Sequence, residues 1–282
     1  MRALKCGNKM LDLSCPAVMG ILNVTPDSFS DGGAFNILEN GLSQAALMLS
    51  EGADIIDIGG ESTKPGAQAV SVQQELDRVI PVIEAVFKRF DTIVSIDTSK
   101  AQVMKEAINA GASLINDVRA LQENGALDIA VKAKVPVCLM HMQGQPKLMQ
   151  QNPCYDDVVK EVMTFLQGRI SVCLKAGIAG NQIIVDPGFG FGKSIEHNYQ
   201  ILANLEKFHE LNVPVMAGMS RKSMIGNLLQ RKIDQRLAGN IATATVAAQK
   251  GAQIIRVHDV KETVDAVKIV NIINAYRNNN ER

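Results

Sequence analysis

The sequence predicts a closed barrel of eight parallel strands and eight helices, (β/α)8, an α/β fold in a single domain spanning residues 1–282. Three observations predict it. Short apolar runs alternate with longer amphipathic ones from end to end, which argues a parallel sheet joined by right-handed crossovers. Eight such units follow one another with no linker and no shift in composition, the count of a TIM barrel. A short repeat recurs as Gly52-Ala-Asp-Ile-Ile, Gly111-Ala-Ser-Leu-Ile and Gly251-Ala-Gln-Ile-Ile. In each, the glycine ends a helix in the left-handed region and a strand starts at once. An open doubly wound sheet is the competing arrangement, but the Gly-x-Gly-x-x-Gly fingerprint it would use for dinucleotides is absent.

In chain order, the first strand is 18–24, apolar with strand-like branching until its last polar residue, Asn23. From Thr25 to Gly33 the chain changes to Pro, Asp, Ser, one Phe and paired Gly, which is turn chemistry. Further strands are expected at 54–60, 92–98, 113–118, 135–141, 182–187, 213–219 and 252–258. Amphipathic helical segments fill the intervals at 38–51, 71–89, 100–110, 124–133, 155–176, 196–209, 235–250 and 261–277. Two loops are longer than a barrel needs, 25–36 and 61–72, and a third polar stretch runs from His141 to Asp156. All three follow strand C-termini, the face on which barrel active sites lie, and long loops there act as lids.

Composition narrows the class. Apolar residues make up 46% and aromatics 4% with no Trp, so the core is built from Ile, Val, Leu, Ala and Met. Lys plus Arg equals Asp plus Glu at 29 each, and that balance gives no nucleic-acid surface and no acidic membrane face. The five cysteines, Cys6, Cys15, Cys138, Cys154 and Cys173, form neither a Cys-x-x-Cys pair nor a metal spacing. They read as small hydrophobes in a reducing compartment. With no apolar leader and no run of membrane-spanning length, a cytoplasmic protein is expected.

The chemistry is expected where inward-facing positions reach the strand ends. The first strand offers Met19, Ile21 and Asn23; the third Ile93, Ser95 and Asp97; the fourth Leu114, Asn116 and Val118. The sixth offers Ile184 and Asp186, the eighth Ile254, Arg256 and His258, and Lys222 follows the seventh. In each series the apolar residues lie deep and a polar one lies at the mouth. One such residue could be a helix cap, as Asp97 could be. Six converging on one mouth imply a ligand or tight mutual pairing, because a buried unpaired ion costs several kcal/mol on the order known for such groups. Asp97, Asp186 and Asn116 suit a planar heterocycle with several N–H donors. Arg256, His258 and Lys222 suit an anion such as phosphate or pyrophosphate. Asn23, a neutral oxygen donor, suits Mg²⁺ held mostly by water and substrate phosphate.

Other motifs fail. Asp186-Pro-Gly-Phe-Gly-Phe-Gly-Lys-Ser194 ends like a phosphate-binding loop, but Pro187 stands where the first Gly is required. His141, His197, His209 and His258 lack zinc spacing, and Ser220 and Ser223 have no elbow motif and no evident base. Met140, at a strand end, is a candidate pocket wall.

Several runs resemble the bacterial dihydropteroate synthases, pterin-binding barrel enzymes of folate synthesis. They are Gly20-Ile-Leu-Asn-Val-Thr-Pro-Asp-Ser-Phe-Ser-Asp-Gly-Gly33 and Gly52-Ala-Asp-Ile-Ile-Asp-Ile-Gly-Gly-Glu-Ser-Thr-Lys-Pro65. Ser95-Ile-Asp-Thr98, Ile115-Asn-Asp-Val118, Leu139-Met-His-Met-Gln-Gly144, Asp186-Pro-Gly-Phe-Gly-Phe-Gly192, Gly218-Met-Ser-Arg-Lys-Ser223 and Arg256-Val-His258 add to them. The resemblance spans nearly the whole chain. It implies condensation of p-aminobenzoate with 6-hydroxymethyl-7,8-dihydropterin diphosphate, releasing pyrophosphate. By motif, it implies that Asp97, Asn116, Asp186 and Lys222 hold the pterin between Met140 and Phe191, with Arg256 stacked on its face. It further implies that Asn23 binds Mg²⁺ while Thr63, Arg256 and His258 address the diphosphate. Phe29, Pro65 and Ser223 would form the p-aminobenzoate pocket, and Asp97, Lys222 and Arg256 would be the catalytic groups. A homodimer through helices near the C-terminal end is implied as well. One residue departs from the family: Lys64 stands where Arg is usual, keeping the charge and losing the bidentate fork. The alternatives are a pterin-binding methyltransferase, which has no use for a diphosphate site, and a catalytically silent pterin-binding paralogue.

Overall fold

The structure, a computed structural model, describes residues 3–25, 34–62, 70–144, 149 and 153–279. Eight parallel strands form the predicted barrel: β3 (Ala17–Asn23), β4 (Ile55–Gly59), β5 (Ile93–Asp97), β6 (Leu114–Asp117), β7 (Val137–Met140), β8 (Ile183–Asp186), β9 (Met216–Ala217) and β10 (Ile254–Val257). Each pairs in parallel with its sequence neighbour, and β10 returns to β3. A parallel bridge between Val185 and Val215, with Val185 N–H donating to the Pro214 carbonyl at 2.9 Å, joins β8 to the segment entering β9.

Strand alternation then sorts the side chains into two cores. Outward residues such as Val18, Ile56, Val94, Ile115 and Val185 pack under the helices. Inward residues at the lower end, Met19, Ile55, Ile93, Leu114, Cys138, Ile184, Met216 and Ile254, form a second cluster inside the barrel. Burying each large side chain contributes about 1.5–3 kcal/mol. The lower end is stoppered by an antiparallel hairpin, β1 (Ala3–Cys6) with β2 (Lys9–Asp12), whose Leu4, Cys6 and Leu11 join that inner cluster. The sequence reading missed this hairpin. Its signal is the two-residue Gly7-Asn8 turn, with Gly7 at φ +60°, between four-residue strands.

The outer ring is α1 (Ala34–Ser50), α2 (Val72–Arg89), α3 (Ala101–Asn109), α4 (Ala126–Ala133), α5 (Val158–Ala176), α6 (Ile195–Ala203), α7 (Ser223–Leu229), α8 (Leu237–Gln249) and α9 (Val260–Asn279). Local chemistry sets several boundaries. Ser71 and Gln74 make a reciprocal capping box at α2, Ser194 and His197 make one at α6, and Asp157 caps α5 by accepting the Lys160 N–H. The three repeat glycines have φ +99° at Gly52, +116° at Gly111 and +89° at Gly251, as predicted for left-handed helix ends.

Two expectations are corrected, and one element is added. The helix expected over 196–209 divides at Asn204, whose amide and backbone N–H both turn back to the Gln200 carbonyl, and a 3-10 segment, Leu205–Leu211, follows. The strand expected over 213–219 shrinks to Met216–Ala217, because Pro214 has no N–H to give and Val215 donates to the Gln253 side chain instead. The short helix α7 was not foreseen, since seven residues carry too little periodicity to be recognised.

Candidate active site

The register sets the polar ends of adjacent strands side by side at the C-terminal mouth. Asn23 is level with Gly59, Gly59 with Asp97, and Asp97 with Asn116.

Arg256, on β10, reaches across this rim. Its Nε donates to Asp57 Oδ2 and its Nη2 to Asp97 Oδ2, both at 2.6 Å, while Asn116 Nδ2 donates to the same Asp57 oxygen at 3.0 Å. Three of the predicted residues therefore converge through a fourth, Asp57, that the sequence reading left out. Asp57 is fully buried, and its Oδ1, like the Ser95 Oγ, has no hydrogen-bond partner among the described residues. The available signal was parity: Ile55, Asp57 and Gly59 of β4 alternate like the inward series of its neighbours.

Two carboxyl groups share one guanidinium here. Burial pushes the Asp97 carboxyl up to about 7; Arg256 opposes that shift, and Asp57 reinforces it. Burial alone would lower Arg256, but Asp57 and Asp97 outweigh it and hold the guanidinium above its ordinary value. The arrangement keeps a fixed cation facing a carboxylate that is costly to leave charged without a positive partner.

On the opposite side, Asp186 closes β8 and accepts the Gly188 N–H at 2.7 Å. Burial raises its pKa, with the Lys222 ammonium the main opposing influence. Lys222 donates to the Phe189 carbonyl at 2.7 Å and stands 4.6 Å from the centre of the Phe191 ring, a cation–π distance. Burial lowers it to about 8 against the pull of Asp186. Met140, Met149 and Phe191 pack together as an apolar wall. The backbone that delivers Lys222 is strained: Arg221 sits at φ +59°, held by its N–H to Asn240 Oδ1 at 2.9 Å and by its ion pair with Asp259 at 2.6 Å.

These groups meet at a cavity of about 480 Å³ whose wall includes Asn23, Asp97, Phe191, Lys222, Ser223, Arg256 and His258. Asn116, Asp186 and Met140 lie on the neighbouring strand ends. Ser220, rejected as a nucleophile, serves His258: its Oγ accepts the His258 backbone N–H at 3.2 Å and lies 3.1 Å from Nδ1. A serine proton on Nδ1 would leave the other ring nitrogen as the donor. Phe29, Thr63, Lys64 and Pro65 lie outside the described residues.

Beside the cavity, Glu61 and Lys100 are further charged groups absent from the sequence reading. The Lys100 ammonium donates to Glu61 at 2.8 Å and to the fully buried Glu75, and Glu61 Oε1 accepts the Val70 N–H at 2.9 Å. The network ties together the ends of the long second loop.

For a divalent cation the donor set is sparse. Among the described residues no group of three His, Cys, Asp or Glu side chains converges. A single amide at Asn23 beside the cavity fits an oxygen-seeking Mg²⁺ that keeps most of its water and takes the rest of its ligands from a substrate phosphate. It does not fit zinc.

Comparison with known proteins agrees with this geometry. A family model described as pterin binding enzyme matches residues 19–258. A dihydropteroate synthase of Haemophilus influenzae is 59% identical over 266 residues, covering 94% of this chain and 97% of the relative. A solved dihydropteroate synthase of Yersinia pestis with a sulfonamide drug is 58% identical with a TM-score of 0.93, covering 97% of this chain and 99% of that one. A Xanthomonas albilineans dihydropteroate synthase solved with 4-aminobenzoic acid is 50% identical with a TM-score of 0.92, covering 97% and 98%.

Proposed function

This chain belongs to the pterin binding enzyme family and, within it, to the dihydropteroate synthases, and from that premise we propose how its own residues carry the reaction. It is a transferase that joins p-aminobenzoate to 6-hydroxymethyl-7,8-dihydropterin diphosphate, giving 7,8-dihydropteroate and pyrophosphate. The observation that carries the residue-level reading is the Asp57–Arg256–Asp97 bridge, whose Arg256 and Asp97 line one cavity together with Lys222.

In this reading Asp97, Asn116 and Asp186 accept the pterin N–H groups, and Lys222 donates to a ring acceptor. Met140 and Phe191 bound the ring. Arg256 covers its face and, with His258 and Thr63, meets the diphosphate. Mg²⁺, bound at Asn23 through water and substrate oxygens, would supply charge neutralisation for the leaving group. As the C–O bond lengthens, Arg256 and His258 take up the negative charge gathering on the diphosphate. Positive charge spreads over the pterin, and the Asp97 carboxylate stabilises it. The arylamine, seated by Ser223 with Phe29 and Pro65, attacks without strong base help. Positioning and electrostatics carry the rate, and no covalent enzyme intermediate is needed.

The test is pyrophosphate release from pterin diphosphate with and without p-aminobenzoate, and with and without Mg²⁺. Release that needs Mg²⁺ and yields dihydropteroate with the arylamine is expected. Pterin binding without release under any of these conditions would sink the reading.

The same proposal includes a homodimer in the cytoplasm. Supporting it, Leu228 and Leu229 of α7, Leu237 and Val246 of α8, and Ile269, Ile272 and Tyr276 of α9 are exposed apolar side chains on C-terminal helices. Patches of this kind mark association surfaces. No helix among the described residues is long and apolar enough to cross a membrane. The five cysteines carry no disulfide, in keeping with a reducing compartment. Sedimentation equilibrium is expected to give twice the chain mass, and charged substitutions at Ile269 and Ile272 to give the monomer; a wild-type monomer at micromolar concentration would end the dimer proposal.

A further inference from the structure

Lys193 ends the run Asp186-Pro-Gly-Phe-Gly-Phe-Gly-Lys, and the reaction as described above makes no use of it. Its side chain is 2% exposed and turns inward. The ammonium donates to the Gly188 carbonyl at 2.9 Å and the Phe191 carbonyl at 3.0 Å, lies 2.9 Å from His141 Nδ1, and reaches the His141 carbonyl at 3.4 Å. An ammonium has three protons to give and no acceptor capacity, so this shell of oxygens and one ring nitrogen satisfies it.

The glycine spacing explains how the shell forms. Gly188, Gly190 and Gly192 have φ +72°, +79° and +62°, conformations that side chains resist. A Cβ at Gly188 would come 1.9 Å from the His141 carbonyl oxygen, and one at Gly192 would come 2.4 Å from that of Gln143. The run therefore folds directly over the backbone after β7 and turns carbonyls toward one interior point, where Lys193 supplies the cation. Burial lowers Lys193 to about 7, with Asp186 the opposing influence. His141 is held below its usual range, to about 3, first by burial and then by Lys193, so it stays neutral and can accept.

The outer side of the same turn is part of the site. The Phe189 carbonyl anchors the Lys222 ammonium, and the Phe191 ring lies against it. We infer that Lys193 is a positioning residue of the pterin site: it is the internal cation of a carbonyl cage that fixes Phe191 and Lys222 in place. The inference rests on the pterin reading proposed above. It predicts the larger defect for the pterin: the turn touches the Phe191 ring and the Lys222 ammonium, whereas the backbone that carries Lys222 and Ser223 is held separately by Asn240 and Arg236.

The test uses the full-length chain as wild type, Lys193→Met and Lys193→Gln. Calorimetric titration with pterin diphosphate is compared with the KM for p-aminobenzoate at saturating pterin, and with the thermal midpoint of each variant. Misplacing a binding group by about 1 Å can cost on the order of a hundredfold. The expected result is a pterin Kd raised about tenfold or more in both variants, with the arylamine KM within about twofold of wild type. Lys193→Gln keeps two donors and should suffer less than Lys193→Met. Folded variants that bind the pterin like wild type would overturn the inference, as would equal losses for both substrates. If neither variant folds, Lys193 supports the fold generally and the site-specific role is wrong. A wild-type chain that binds no pterin diphosphate would instead overturn the reading on which the inference stands.

Discussion

Changing Asp97 to Asn is expected to lower kcat/KM for pterin diphosphate about 10²–10³-fold, the size typical of losing one preorganised electrostatic contact. The fold should survive. Asn keeps a carbonyl oxygen for the Arg256 Nη2, and it removes one of two like charges that face each other across a single guanidinium. Stability is therefore expected to stay level or rise while turnover falls, which separates a catalytic loss from a folding one. The pH profile provides the sign. Burial raises Asp97 to about 7, so below that pH the wild-type residue is neutral in the free enzyme. If the carboxylate is the working form, wild-type kcat/KM must climb as pH rises through about 7. Lys222, lowered to about 8, works as the ammonium, so the rate must fall again above that value. In Asp97→Asn the acid limb should vanish and the alkaline limb remain. Near-normal turnover in the variant, or an acid limb that persists unchanged, would remove Asp97 from the role of cation stabiliser.

The sequence made the barrel legible because strand–helix alternation and the helix-ending glycines repeat along its length. Particular elements escaped where the repeat is broken. The β1–β2 hairpin lies outside the eight units and is too short for periodicity, yet its Leu4 and Leu11 complete the lower core. Strand β9 is cut down by Pro214, whose missing N–H is visible in the sequence but whose effect depends on which neighbour needs a donor. The mouth residues were legible for a simple reason: alternation puts Asp97, Asn116, Asp186 and Arg256 at strand ends whatever the loops do. Their pairing was not. That Arg256 spans from β10 to β4 and β5 depends on the barrel's closure, and closure brings together residues 199 positions apart in the chain. Asp57 was missed although it obeys the same alternation, because it stands one step deeper than the terminal position of its strand. Lys193 looked like the end of a failed phosphate loop, and only the left-handed glycines turn it inward.

Arg256→Met carries the largest expected effect on stability. Removing the guanidinium leaves Asp57, fully buried, and Asp97, nearly so, facing each other with no cation between them. Breaking a buried ion pair from one side costs about 3–5 kcal/mol. In a protein of this size that corresponds to a fall in Tm on the order of 10 °C. The deficit must depend on pH in a definite direction. Burial already raises Asp97 and Arg256 opposes that shift, so removing the guanidinium raises Asp97 further and the folded state gains by holding its proton. The stability associated with that protonation is fully present below the unfolded carboxyl range and is lost as pH rises through the raised folded value. The Tm gap between variant and wild type should therefore be small in acid and widen toward alkaline pH. Adding Asp57→Asn to Arg256→Met should recover part of the loss, since it removes one of the stranded charges and lets two amides, Asn116 and the new one, pair. Activity should not return with it, because the charge that meets the leaving diphosphate is still missing. A single variant as stable as wild type, or a double variant less stable than the single, would mean that Arg256 is held by packing and that its removal strands no charge. The bridge would then be a structural hydrogen-bond network, and the cation that the mechanism needs would have to come from Lys222.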